Sequence, residues 1–115
     1  MNAINATNAM NESLFNTLRE LSKNGEISQR ELSKKMGISL GKVNYLINEL
    51  IKRGYIKVKI YKNTKNREAF KYIITPKGET EKKRQTMLYL EKKNDEIERL
   101  KKEIEELTLS IQLSP

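Results

Sequence analysis

The sequence predicts a mainly α protein with a small β-hairpin, in which a compact corner of short helices precedes the hairpin and a long C-terminal coiled-coil helix follows it. Three observations predict this. Ser28-Gln29-Arg30-Glu31 opens a short helix, Gly37 can end it, and Ser39 is placed to open another two residues later. Tyr55 to Tyr61 (YIKVKIY) and Ala69 to Thr75 (AFKYIIT) are β-rich runs on either side of a polar tip. Leu90, Ile97, Ile104 and Ile111 recur every seven residues.

At 115 residues the chain suits one domain with an appendage, since independent domains most often hold about 100 to 150 residues. It contains no His and no Cys, which removes the side chain that titrates nearest neutral pH, the strongest nucleophile and the usual ligands of zinc, haem and iron-sulfur centres. The expectation is therefore a protein without catalytic residues, metal or cofactor. No stretch approaches the roughly 20 apolar residues that span a bilayer. Residues 1–10 (MNAINATNAM) lack the basic start and apolar run of a signal peptide. These features point to a cytoplasmic protein with no membrane partner.

The net charge is +8, and it is unevenly spread. Residues 1–24 are neutral, residues 25–86 carry 16 basic against 6 acidic side chains, and residues 87–115 carry 5 against 7. The positive field thus belongs to the middle of the chain, as a polyanion-binding face requires.

Residues 1–10, rich in Asn and Ala with no apolar period, read as a disordered arm. Residues 11–75 form the domain. Leu14, Leu18 and Leu21, with Phe15 alongside, make one apolar stripe on a helix that ends near Asn24-Gly25. In the next helix Ser28 and Glu31 can cap each other reciprocally, Ile27 and Leu32 are placed as a hydrophobic staple, and Leu32 and Met36 face inward. Its short separation from the helix at Ser39 suits a helix-turn-helix corner rather than a long antiparallel pair. In that third helix, residues 39–53, Val43, Leu46, Ile47 and Leu50 form the buried stripe. At 100° per residue the opposite face collects Gly41, Tyr45, Asn48 and Lys52, flanked by Lys42 and Asn44.

Strict alternation in the first β run sets Ile56, Val58 and Ile60 on one side and Lys57 and Lys59 on the other. Residues 62–68 form the tip, and from Lys52 to Lys71 there are eight basic residues and one acidic one. Thr75 and Pro76 supply an N-cap and a proline at the first helical position. A single helix can then run over residues 76–113, roughly 55 Å at 1.5 Å per residue. Leu90, Ile97, Ile104 and Ile111 occupy heptad position a, with Leu100 and Leu107 at d; isoleucine at a with leucine at d favours a parallel dimer. In that register Glu96 meets Lys101 of a second copy, while Lys93 at d confines the zipper to about residue 90 onward. Asp95 with Arg99 and Glu98 with Lys102 can add support within the helix.

Helix, capped helix, tight turn, helix and basic hairpin follow one another in the order of a winged helix-turn-helix. Residues 27–81 resemble the MarR-type transcriptional regulators. SQRELSKKMGISLGKVNYLINELIKRG followed by KNTKNREAFKYIITPKG is especially similar to the small subgroup associated with exopolysaccharide gene clusters. The resemblance implies a homodimer that binds double-stranded DNA sequence-specifically, with the third helix in the major groove and the wing on backbone or minor groove. Carried onto this chain, it implies recognition by Ser39, Gly41, Lys42, Asn44, Tyr45 and Asn48, and wing contacts by Lys62, Lys65, Asn66 and Arg67. Larger members surround an effector pocket with additional helices that this chain does not show, so no internal small-molecule site is expected.

Each feature also has a plainer explanation. Lysines guard sheet edges against aggregation, polar residues cover any surface helix, and an apolar stripe can pack within its own chain. A winged domain can also serve as a protein-interaction adaptor or an RNA-binding module assembled through the coiled coil. The third helix separates these readings, because an adaptor needs exposed aliphatic residues where this face offers Asn, Tyr, Lys and Gly.

Overall fold

The computed structural model describes residues 10–114, so the expected arm falls outside the described residues except for its last member. That member, Met10, belongs to the core instead: it is buried, and its N–H donates to Oε1 of Gln85 at 3.0 Å. Six elements follow: α1 (Glu12–Lys23), α2 (Gln29–Met36), α3 (Leu40–Lys52), β1 (Ile56–Lys62), β2 (Glu68–Ile74) and α4 (Pro76–Gln112). The chain divides into two units between Gln85 and Thr86.

In the first unit each helix begins where a side chain can satisfy its first N–H groups. Asn11 accepts from the Leu14 N–H at 2.8 Å. Ser28 and Glu31 form the complete capping box, each accepting from the other's backbone N–H at 3.0 Å. Ser39 caps α3 by accepting from the Lys42 N–H at 3.1 Å. The turn between α2 and α3 depends on Gly37, whose left-handed φ of 68° any Cβ would oppose. Ser33 tightens the same corner by donating its hydroxyl to the Ile38 carbonyl.

The expected stripes make the core. Leu14, Leu18 and Leu21 from α1, Leu32 from α2, and Val43, Leu46, Ile47 and Leu50 from α3 are all buried. Each such side chain stabilises the domain by about 1.5–3 kcal/mol relative to exposure. Thr17, the polar member of this core, is satisfied by donating to the Ser13 carbonyl at 2.7 Å.

β1 and β2 pair antiparallel from Ile56 with Ile74 to Lys62 with Glu68, leaving residues 63–67 as the tip. The hairpin joins the helices through the Tyr72 N–H, which donates to the Gly25 carbonyl at 2.8 Å. Ile56 is buried as the alternation suggests. Its same-face neighbours Val58 and Ile60 are not: they are 45% and 65% exposed, and with Phe70 they line a shallow 230 Å³ depression. Alternation assigns a face; it does not supply something to cover it.

Thr75 caps α4 by accepting from the Gly78 N–H at 3.0 Å and donating to the Gly54 carbonyl at 2.6 Å. Gly78, which weakens the helix signal in sequence, is required by packing: a Cβ there would lie 2.1 Å from the Tyr55 carbonyl oxygen. In the second unit α4 continues to Gln112. Glu98 pairs with Lys101 at 3.5 Å rather than with Lys102, and Lys93 with Glu96 at 3.6 Å. Leu90, Ile97, Leu100, Ile104, Leu107 and Ile111 are all exposed in the single chain.

Candidate nucleic-acid interface

The core stripe of α3 fixes what its opposite face presents. Gly41, Lys42, Asn44, Tyr45 and Asn48 are exposed, whereas the Ser39 hydroxyl is engaged in capping. Leu40 and Ile51 are also partly exposed, but they lie at the border of the core stripe, not at the centre of the polar face. At Gly41 a Cβ would meet nothing within 4 Å. The fold therefore gives no reason for glycine there, and the start of α3 is open to close approach from outside. Lys42 stands over the Tyr45 ring, 5.5 Å from its centroid, so the two extend from the helix as a unit.

The polar face is tied to the rest of the domain. Asn48 donates from Nδ2 to Oδ1 of Asn44 at 3.1 Å, Asn44 donates from Nδ2 to Oε1 of Gln29 at 3.3 Å, and Gln29 donates from Nε2 to the Tyr72 hydroxyl at 3.2 Å. Four side chains from α3, α2 and β2 thus form one line. Sequence reasoning missed Gln29 and Tyr72, which stand 43 residues apart and which no local pattern connects.

The wing tip is organised by one residue that sequence reasoning also missed. Asn63 accepts on Oδ1 from the Lys65 and Arg67 N–H groups at 2.9 and 3.0 Å, and its own N–H donates to the Arg67 carbonyl at 2.9 Å. An Asn that opens a polar turn is the available signal for such a role. Asn66 adopts a left-handed φ of 56°, a conformation Asn tolerates better than most residues. Lys62, Lys65, Asn66 and Arg67 are consequently all exposed on an ordered turn.

Charge is concentrated on the hairpin. Lys59 and Lys71 lie directly opposite each other across the strands, a like-charge pairing that opposes the sheet and that an anion would relieve. Lys71 finds partial compensation over the Tyr61 ring at 5.7 Å, while the Tyr61 hydroxyl donates to Glu26. That carboxylate disfavours loss of the hydroxyl proton and pushes the Tyr61 group above its ordinary value. Among the described residues there is no group of three or more His, Cys, Asp or Glu side chains that could hold a metal ion, and no helix long and apolar enough to cross a membrane.

A family model described as winged helix-turn-helix DNA-binding matches residues 10–57. Solved structures share the fold across most of the chain. A MarR/EmrR family transcriptional regulator from Acinetobacter sp. ADP1 has a TM-score of 0.62 at 13% identity, over 91% of this chain and 78% of its own. Staphylococcus aureus MarR in complex with salicylate and kanamycin has a TM-score of 0.61 at 16% identity, covering 90% and 71%. The S. aureus MepR–DNA complex has a TM-score of 0.57 at 17% identity, covering 89% and 78%. A search of curated protein sequences finds no match. At these identities the likeness is one of fold.

Proposed function

We propose that the chain is a MarR-type transcriptional regulator that binds double-stranded DNA sequence-specifically as a homodimer. The observation that carries this reading is the exposed face of α3, with Lys42, Asn44, Tyr45 and Asn48 in its first three turns and a basic, ordered wing in the same domain. Such a helix enters the major groove, where an Asn amide matches the N6 and N7 edge of adenine and Lys42 reaches phosphate or guanine. Gly41 lets the first turn approach phosphate, to which unpaired helix N–H groups are attracted. Lys62, Lys65, Asn66 and Arg67 hold the flanking backbone or minor groove. The presence of DNA in the MepR structure supports the same use of the shared fold.

The six exposed heptad residues of α4 are assigned to a parallel coiled coil with a second copy, so two α3 helices address two half-sites. Their centres should lie about 10 base pairs apart, or a multiple of that. Because residues 28–54 and 62–78 resemble the exopolysaccharide-associated subgroup, polysaccharide biosynthesis genes are proposed as the first targets to examine. A protein-interaction adaptor finds support in the exposed Val58, Ile60 and Phe70 of the hairpin and in Leu40 and Ile51 at the border of the α3 core stripe.

The test is enrichment of duplexes from a randomised library by the wild-type chain, followed by titration of the enriched duplex and a scrambled one. One adenine-containing sequence should be enriched. Lys65→Ala with Arg67→Ala should weaken binding to both duplexes and reduce the salt slope by about one unit for each phosphate no longer neutralised. Failure to enrich any sequence, or a wing variant that binds both duplexes as tightly as wild type, would overturn the reading.

A further inference from the structure

Resting on that reading, we infer that Gln29 and Tyr72, outside the recognition helix, are positioning residues for base readout, and that they act through Asn44 to present the amide of Asn48. The two asparagines of α3 look equivalent in sequence, but their hydrogen bonds differ. Both ends of the Asn44 amide are engaged: its Nδ2 donates to Gln29 and its Oδ1 accepts from Asn48. Asn48 terminates the line with one bond, from its Nδ2. A primary amide has two N–H donors and an oxygen with two lone pairs, so Asn48 keeps its oxygen and one N–H. That pair is the complement of the adenine edge, which offers N6–H and accepts at N7. By the same count Asn44 retains one N–H and one lone pair, but both of its ends are bonded within the domain, whereas the Asn48 oxygen is wholly open; Asn48 is therefore assigned as the reader and Asn44 as the link that holds it.

The line also has a fixed end. Tyr72 is buried and packs edge-to-face against Phe70, with ring centroids 5.5 Å apart, so its hydroxyl is held by the hairpin. Gln29 lies in the first turn of α2, directly behind the Ser28 cap. An exposed Asn otherwise samples several rotamers and must give up that freedom on binding. A rotamer set before DNA arrives removes that cost and favours the one base whose edge fits. The wing strand and the first turn of α2 therefore shape specificity without touching a base.

The experiment uses the full-length chain with the duplex enriched from the randomised library and a scrambled duplex of the same composition. The readout is the ratio of the two affinities. Asn48→Ala should lower the ratio at least about tenfold, and Gln29→Ala and Tyr72→Phe about three- to tenfold each, with melting temperature and scrambled-duplex affinity nearly unchanged. In an Asn48→Ala background neither substitution should lower the ratio further, since both act through that amide. Gln29→Glu, whose carboxylate can still accept from Asn44 and can accept from the Tyr72 hydroxyl in place of the wild-type donation to it, should keep most of the ratio even if its charge weakens both affinities.

If Asn48→Ala lowers the ratio while Gln29→Ala and Tyr72→Phe leave it intact, the positioning role is overturned and DNA reading stands. Additive losses in the Asn48→Ala background would also overturn it, because Gln29 would then touch DNA itself. A wild-type chain that enriches no sequence removes the DNA-reading function and this inference with it.

Discussion

Residues 10–85 and residues 86–114 carry apolar residues at the same helical spacing, and these meet opposite environments. In α3 the stripe of Val43, Leu46, Ile47 and Leu50 is at most 2% exposed. In the distal part of α4, Ile97, Ile104 and Ile111 are 48%, 62% and 77% exposed. A monomer that left such a row in water would forgo the main stabilisation available to it. Periodicity therefore identifies a face that must be covered, and only the surroundings reveal whether the cover comes from the same chain. For α3 it does; for α4 the expectation is a second copy.

The largest break in this contrast comes from removing the second copy. Ile97→Glu combined with Ile104→Glu sets four carboxylates against one another in a parallel dimer and should yield a single-chain species in sedimentation velocity. Its affinity for a duplex with two half-sites should fall by about 10²- to 10⁴-fold, because the second engagement is no longer intramolecular. The near-ultraviolet and thermal signatures of the 10–85 core should persist. An unchanged dimer would show that the exposed row is covered by something other than its twin.

The complementary change targets the internally covered stripe. Leu50→Ala leaves a cavity where the side chain is fully buried and should destabilise the winged domain by about 2–5 kcal/mol. Urea denaturation would measure it. The destabilisation should not depend on protein concentration, because the cavity and the side chains around it belong to one chain. A Leu50→Ala chain that loses its dimer before its domain unfolds would erase the distinction between the two regions.

Much of this was legible in the sequence because it is local. The Ser28–Glu31 capping box, the Gly37 corner and the Thr75 cap are set by residues a few positions apart, the pairing of the two β runs and the length of α4 follow from uninterrupted sequence patterns, and each is present as expected. What was missed depends on residues brought together by packing. Met10 reads as part of a polar arm because Gln85, which receives its N–H, lies 75 residues away. Gly78 reads as a weak helix former because the nearby Tyr55 carbonyl is invisible to propensity. The α3 site shows the same division: the 100° wheel brings Asn44 and Asn48 to the polar side, whereas only the fold shows that Asn44 is tied 15 residues back to Gln29 and Asn48 is not.

The smallest effect sharpens the contrast from within the first region. Glu31 is held below the usual carboxylate range, chiefly because its side chain accepts from the Ser28 backbone N–H and then because the Ser28 hydroxyl adds to the same cap. A carboxyl whose folded value is depressed contributes stability that is fully present above its ordinary value and is lost as pH falls through the folded one. Glu31→Gln can still accept from the Ser28 N–H and keep the capping geometry, but it has no charge to lose. Wild type should therefore be slightly more stable than the variant at neutral pH, and the difference should close on acidification through the range below about pH 4.3. Urea midpoints measured across that range would check it, and dimer affinity should not change, since the cap belongs to α2 and not to the heptads. A stability difference independent of pH would mean that the cap works through geometry alone and that the carboxylate's charge contributes nothing there.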